Sequence, residues 1–276
     1  MKVWIADMLT SLRASYIREV RAYFATPLAY VFVAIFLMLL GVFTWEASRF
    51  FDTGLADLQP FFYWHPWLYM IFLPALSMRL WADEAALGTT EILFSLPVSL
   101  FGLAAGKLLA AWTVAALSLV LTFPMWITVN YLGAPDNGAI AITYLTSLLM
   151  AGAFLSIGAA MSSLFSSQVL AYIAGIVVAF MFTAAGWPML LGAISGLIGP
   201  GAGELVAQFS FLTYFETAQR GVLELRALLY FCGVIALWLS LNTVWVAHKR
   251  RGVIRPPPAS CLPQRLLSWH FSSPRR

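Results

Sequence analysis

Apolar residues run through this chain in long unbroken stretches, with neither the alternation of half-buried strands nor the stripes of soluble amphipathic helices. Six of these stretches stand out: Pro27 to Trp45, Pro66 to Trp81, Leu103 to Val129, Ile142 to Leu164, Val169 to Leu191 and Leu225 to Ala247. A helix crosses a hydrocarbon core in about 20 apolar residues, so each suffices, the second only just. Barrel strands would alternate apolar and polar positions, which these runs do not. The pattern predicts an all-α, polytopic membrane protein with six transmembrane helices.

Composition agrees, because 61% hydrophobic and 10% charged residues cannot clothe a water-facing surface. The basic residues then orient the spans. Lys2, Arg13, Arg18 and Arg21 precede the first, Arg79 and Lys107 flank the loop between the second and third, and Lys249, Arg250, Arg251, Arg255, Arg265, Arg275 and Arg276 follow the last. Only Arg49, Arg220 and Arg226 fall on the other side, among Glu46, Asp52, Asp57, Asp136, Glu204, Glu216 and Glu224. By the positive-inside rule both termini are cytoplasmic, in a multi-pass protein of the inner (plasma) membrane. The net charge of +4 does not indicate nucleic acid, since the basic residues sit at span ends and form no aromatic-interleaved patch. The first apolar run far exceeds a signal peptide's core and has no small-residue cleavage site behind it, so span one is expected to be retained.

Residues 1–26 read as an amphipathic interfacial helix, with Trp4, Met8, Leu12, Tyr16, Val20 and Tyr23 at helical steps and Arg13, Arg18, Glu19 and Arg21 largely elsewhere on the wheel. A solvated, frayed leader is the alternative. Pro27 suits the first turn of span one. Phe50, Phe51, Phe61, Phe62, Tyr63, Trp64 and Trp67 cluster after that span as an interfacial aromatic belt or, alternatively, a ligand cage. His65 among them has no Cys, His or acidic partner at metal-ligand spacing. Small residues recur at Gly152, Ser156 and Ala160 and at Ala171, Gly175 and Ala179, rows that allow close helix approach within one subunit or between two. Residues 186–226 suggest a re-entrant or interfacial helical pair before span six. The Pro-rich stretch 252–276 reads as a disordered cytoplasmic tail that follows a single membrane domain spanning 1–251. Cys232 and Cys261 lie at different depths and form no disulfide framework.

The loop after span two, FLPALSMRLWADEAALGTTEILFSLPVSLFGLAAGKLLAA from Phe72, carries the most information. Asp83 and Glu84 stand just outside the membrane, Gly88, Thr89, Thr90 and Glu91 make a turn, and Pro97 closes a short apolar segment. Thr89 or Thr90 can cap a brief helix over Glu91 to Leu96, with Glu91 suited to the positive end of its dipole. Such a helix exposes Ile92, Leu93, Phe94 and Leu96 and calls for a partner.

This stretch resembles the first cytoplasmic loop of ABC-2-type permeases, the membrane subunits of ATP-driven exporters, in particular the branch close to permeases of gliding motility and of nitrous-oxide reductase maturation. Arg18 to Arg21 followed by Thr26 to Tyr30, the turn Gly133 to Gly138, and Gln219 to Val222 are similar to that branch too. The resemblance covers roughly residues 13–250. It implies that Glu91 to Val98 is a coupling helix seated in a groove of a cytoplasmic ATP-binding subunit. Asp83, Glu84, Gly88, Thr89, Glu91, Leu93, Leu96, Pro97 and Val98 then form the ATPase-coupling loop. It also implies a second cytoplasmic contact at the turn Ser162 to Gln168, through Ser163, Ser166, Ser167 and Gln168. The chain departs from the family at Ala85, Ala86 and Leu87, where relatives have basic residues, and at Leu100 and Phe101, where they have an acidic or polar pair. Charged rim contacts set partner choice, so these departures bear on which ATPase fits.

The chain has no phosphate loop of its own. Gly102 to Leu108 is one residue too short between its glycines and has Leu where a magnesium-binding hydroxyl is required. Gly102 and Gly106 read instead as a close-packing pair, with Lys107 snorkelling to the headgroups. ATP and magnesium are expected on a partner subunit, with no cofactor, metal or catalytic residue here. A secondary carrier or channel without an ATPase partner is the alternative, but no acidic or His side chain sits at the centre of any span. The expectation is a permease subunit that pairs with a second copy or a related permease, contacts membrane lipid and forms the translocation path for a substrate the residues do not specify.

Overall fold

The computed structural model describes residues 2–48, 50, 57–89 and 98–254, which are helical without a strand. Helix α1 (Lys2–Ala25) leads into α2 (Pro27–Val42), which ends in a π-helical turn, Phe43–Ala47. Thr26 is extended at φ −109° and ψ 148°, and Pro27 opens α2 where its missing N–H costs nothing. Then come α3 (Gln59–Phe62), α4 (His65–Ser77), α5 (Arg79–Ala86), α6 (Leu100–Val120), α7 (Phe123–Leu132) and α8 (Asn137–Leu164). The chain finishes with α9 (Gln168–Ala184), α10 (Pro188–Ile198), α11 (Pro200–Ala207), α12 (Phe211–Gln219) and α13 (Leu225–Ile254).

Helix α8 is the axis of the bundle. Every residue from Met150 to Ser163 is buried, with α4, α6, α9, α12 and α13 packed around it. Its small residues let those neighbours approach. A Cβ on Gly152 would lie 2.7 Å from the Trp112 ring, and one on Gly158 would collide with Ser77 and stand 3.2 Å from the Pro74 backbone. On α9, Ala171, Gly175 and Ala179 form one buried row, and a Cβ on Gly175 would meet Pro74 at 3.1 Å. Both rows are thus spent on packing within the chain.

Four described helical stretches are long and apolar enough to cross a membrane: Ala29–Ala47, Leu100–Leu132, Asn137–Leu164 and Leu225–Arg250. They correspond to the expected spans one, three, four and six. The fifth is bent by 72° between Gln168–Ala184 and Pro188–Leu197, so Leu191 lies beyond the bend rather than at the end of a straight span. Pro188 forces Trp187 into an extended conformation, φ −71° and ψ 124°, which ends the helix before it. The second stretch is divided into α4 and α5, neither long enough alone. Leu100–Leu132 pauses at Leu121 and Thr122, where Pro124 enters the next turn.

Three helices, α10, α11 and α12, occupy the region expected to hold a helical pair; Gly199, at φ 118°, separates the first two. Helix α13 runs to Ile254, three residues past the expected domain boundary at 251, and the tail from 255 lies outside the described residues. The aromatic belt is only partly interfacial. Tyr63 is exposed, but Phe50, Phe61 and Phe62 are core residues; Phe51 lies outside the described residues. His65 is fully buried, with Nδ1 3.2 Å from the Phe61 carbonyl and its ring among Phe36, Phe61, Phe62, Tyr69 and Phe215.

Helix α1 packs along the start of α6. A Cβ on Gly102 would lie 2.5 Å from the Met8 carbonyl oxygen, and one on Gly106 2.5 Å from that of Leu12. Ser15 Oγ donates to the Leu103 carbonyl at 3.1 Å, and Ser11 Oγ accepts from Ser99 N at 3.2 Å. Gly106→Val must therefore push α1 away, at a cost of about 1–3 kcal/mol. Limited trypsin digestion should then cut at Arg13 and Arg18 faster than in the unaltered protein, while cleavage within the bundle stays unchanged. Equal cleavage at those arginines would contradict the packing.

Candidate functional site

Helix α5, which leads into the expected coupling loop, is fastened from three sides. Arg79 and Asp83 lie one turn apart on its polar side, Glu84 stands one turn after Leu80, and Leu80, Trp81 and Ala82 are buried. Gly88, at φ 68°, terminates it: Thr89 N donates to the Glu84 carbonyl at 3.1 Å and Gly88 N to that of Ala85 at 3.3 Å.

The first fastening is ionic. Lys107, in the second turn of α6, is 1% exposed and does not snorkel to headgroups. Its Nζ donates to Glu19 Oε1 at 2.8 Å, Glu84 Oε1 at 2.9 Å and the Leu80 carbonyl at 2.6 Å, and stands 5.0 Å from the centre of the Trp81 ring. The expectation failed because α1 and α5 cover Lys107 and bring two carboxylates to its stem. Arg18 closes the cluster with 2.6 Å and 2.8 Å contacts to Glu84 Oε1 and Glu19 Oε1. Two cations and two carboxylates cancel, the condition under which buried charge is tolerated.

The second fastening is a hydroxyl. Ser162 Oγ, near the end of α8, accepts from Trp81 N at 3.0 Å and Ala82 N at 3.1 Å and donates to the Met78 carbonyl at 2.5 Å. It thereby serves backbone groups at the junction of α4 and α5. The third joins the two expected cytoplasmic contacts: Gln168 Nε2, at the start of α9, donates to Asp83 Oδ1, and Asp83 also faces Arg79 at 3.6 Å.

Of the residues expected in the coupling loop, Asp83 and Glu84 are tied into the bundle, Gly88 and Thr89 form the exposed turn, and Val98 is half-buried. Glu91, Leu93, Leu96 and Pro97 lie outside the described residues. At the second contact Ser166, Ser167 and Gln168 are exposed. Ser163 is buried, its Oγ bonded to the Ala160 carbonyl at 2.7 Å, and faces the core rather than a partner. Lys107 was absent from the expected site, and Ser162 bounded the expected turn without a role of its own. A charged residue two turns inside an apolar run is the sequence signal for Lys107; nothing marks Ser162 among its neighbouring serines. Among the described residues no group of three His, Cys, Asp or Glu side chains could hold a metal ion. Gly102 and Gly106 are helical and packed on α1.

Residues 68–241, from α4 into α13, match the family model described as ABC-2 family transporter protein. The chain belongs to that family. An ABC-2 permease is a membrane transport component and not itself a catalytic enzyme, and the kind of partner it normally works with is an ATP-binding subunit. The matched range contains α5, Lys107, Ser162 and Gln168, whereas Arg18 and Glu19 lie before it. No curated protein is similar enough to the chain to match it.

The charge cluster in this permease makes stability depend on pH. Burial alone would raise the Glu19 carboxyl, but Lys107 and Arg18 outweigh it and hold it below the ordinary value of 4.5. A depressed carboxylate contributes stability that is complete above its unfolded-state pKa and lost as pH falls through the folded one. Thermal stability in detergent should therefore fall as pH drops below about 4.5, and Glu19→Gln should flatten this dependence. Lys107→Met, which leaves the two carboxylates to share Arg18 alone, should cost about 3–5 kcal/mol at neutral pH. A Lys107→Met protein as stable as the unaltered one would refute the cluster.

Proposed function

We propose that this chain is the membrane half of an ATP-driven exporter. It pairs with a second copy or a related permease and with two cytoplasmic ATPase subunits, which hold the ATP and magnesium. The observation that carries this reading is the fastening of α5. A coupling segment transmits force only if its root is rigid, and Glu84, Asp83 and the α4–α5 junction are held by α1, α6, α8 and α9 together. Closure of the ATPase subunits would push Glu91 to Val98, and α5 would carry the displacement into the bundle. Asp83 would share it with Gln168, so that both cytoplasmic contacts move as one unit.

In this reading six segments cross the inner membrane, α4 with α5 supplying the second and α9 with α10 the fifth, and both termini are cytoplasmic. The grouping of charge supports the orientation. Arg18, Arg79 and Lys107 gather at the end of the bundle where Lys249 Nζ reaches the last carbonyl region of α8, at Leu164, while Arg220 and Arg226 lie toward the other end.

Two measurements test the proposal. Leu93→Asp or Leu96→Asp should place a charge in a desolvated contact at a cost of about 2–4 kcal/mol, so that the ATPase no longer co-purifies while membrane insertion is unchanged. Full co-purification with substrate-stimulated turnover in both variants would remove Glu91 to Val98 from the coupling role. For topology, a membrane-impermeant thiol reagent should label Cys261 only in permeabilised cells. Labelling of Cys261 in intact cells would overturn the cytoplasmic assignment of the carboxyl end.

A further inference from the structure

At the far end of α8 from Ser162, residues 57–62, 134–143 and 219–220 enclose an open pocket of about 290 Å³. Two of these segments are the turns singled out in the sequence, Gly133 to Gly138 and Gln219 to Val222, which the coupling reading leaves without a role. The structure joins them closely. Thr143 Oγ1 donates to the Ala218 carbonyl at 3.2 Å, and Gly221, at φ 78°, sits so near α8 that a Cβ there would meet that of Ala139 at 3.1 Å.

The pocket offers charges of both signs. Arg220 lines it with no ion pair among the described residues. Asp136 Oδ1 accepts from Gly138 N at 2.9 Å and Ala139 N at 3.1 Å, and Asp57 Oδ1 accepts from Gln59 N at 3.0 Å. Each carboxylate keeps its second oxygen free of hydrogen bonds among the described residues. A simple anion would meet Arg220 but be repelled by Asp57 and Asp136, and a simple cation would meet the reverse. A group carrying an anion and a protonated amine a few bonds apart satisfies both. Tyr63 and Tyr131 are exposed on the adjoining segments, and tyrosine favours the headgroup layer, where such groups are abundant.

We propose that this pocket binds a phosphoethanolamine group, its phosphate on Arg220 and its ammonium shared by Asp57 and Asp136. A choline headgroup has no N–H to donate and is disfavoured. The group can come from a membrane lipid or from a soluble amino-phosphate. The site does not depend on the coupling loop, so its test stands apart from that of transport.

The full-length protein in nanodiscs of equal phosphatidylethanolamine and phosphatidylcholine is released into native mass spectrometry, and in parallel phosphatidylcholine nanodiscs are titrated with O-phosphoethanolamine, O-phosphocholine and inorganic phosphate. Enrichment of the ethanolamine lipid without binding of the soluble compound supports a lipid source; binding of soluble O-phosphoethanolamine supports the same site with a free ligand. In either case Arg220→Gln and Asp57→Asn should each weaken binding about tenfold, the loss expected for a charged hydrogen bond, with unchanged thermal unfolding. Equal binding of O-phosphoethanolamine and inorganic phosphate, no ethanolamine preference in either arm, or binding indifferent to both substitutions would overturn the proposal.

Discussion

An ammonium group sealed from solvent at the base of α6 constrains much of what surrounds it. Lys107 cannot remain charged at 1% exposure unless carboxylates and a carbonyl replace its water, and all three are supplied from outside its own helix: Glu19 from α1, Glu84 and the Leu80 carbonyl from α5. Such a pairing contributes little net stability compared with an apolar core, but it permits very little displacement of its members. Sliding α5 by even part of a turn would take Glu84 and the Leu80 carbonyl from Lys107 and leave its buried ammonium to Glu19 alone. The interaction therefore fixes the register of α1, α5 and α6 at the point where the loop after α5, proposed to couple to the ATPase, departs.

Helix α8 carries that order through the bundle. Its 28 residues extend about 42 Å, with Ser162 fastening the α4–α5 junction near one end and Asp136 and Thr143 organising the pocket near the other. Between them, Gly152 admits Trp112 and Gly158 admits Pro74 and Ser77 so closely that a methyl group would not fit without movement. Apolar attraction is weak between helices in lipid, and dense contact of this kind is what holds them. An element packed so tightly is suited to moving as a rigid body, which is what a mechanical link between ATPase contact and membrane segment requires.

Much of the plan was legible in the residues themselves. Uninterrupted apolar runs imposed helices, because a backbone in lipid must bond within its own segment, and the loop from Phe72 to Ala111 carried the family's pattern. Thr26 and Pro27, Gly88, Asp136 and Ser99 mark helix boundaries through local chemistry that needs no distant partner. The bend before Pro188 and the division of α4 from α5 were less visible, since hydropathy measures length of apolar run and is blind to direction.

The candidate site was legible only in part. Asp83 and Glu84 announced themselves as a charged pair beside an apolar loop, yet Gln168 stands 85 residues from Asp83, and Lys107 and Arg18 stand 23 and 66 residues from Glu84, so these groups meet only when the bundle closes. Lys107 beside a span end looked like a headgroup anchor because sequence shows its neighbours along one helix, not the α1 face that covers it. Ser163 and Ser162 are adjacent and chemically identical, and the turn of α8 sends one hydroxyl to its own helix and the other to α5. Local composition and periodicity determined the helices and the membrane solvent, while the order of motifs in the loop from Phe72 carried the resemblance to the family. Which polar groups face each other, and hence what the charges do, was decided by tertiary packing, because pairing depends on angles and contacts between segments that no linear spacing encodes.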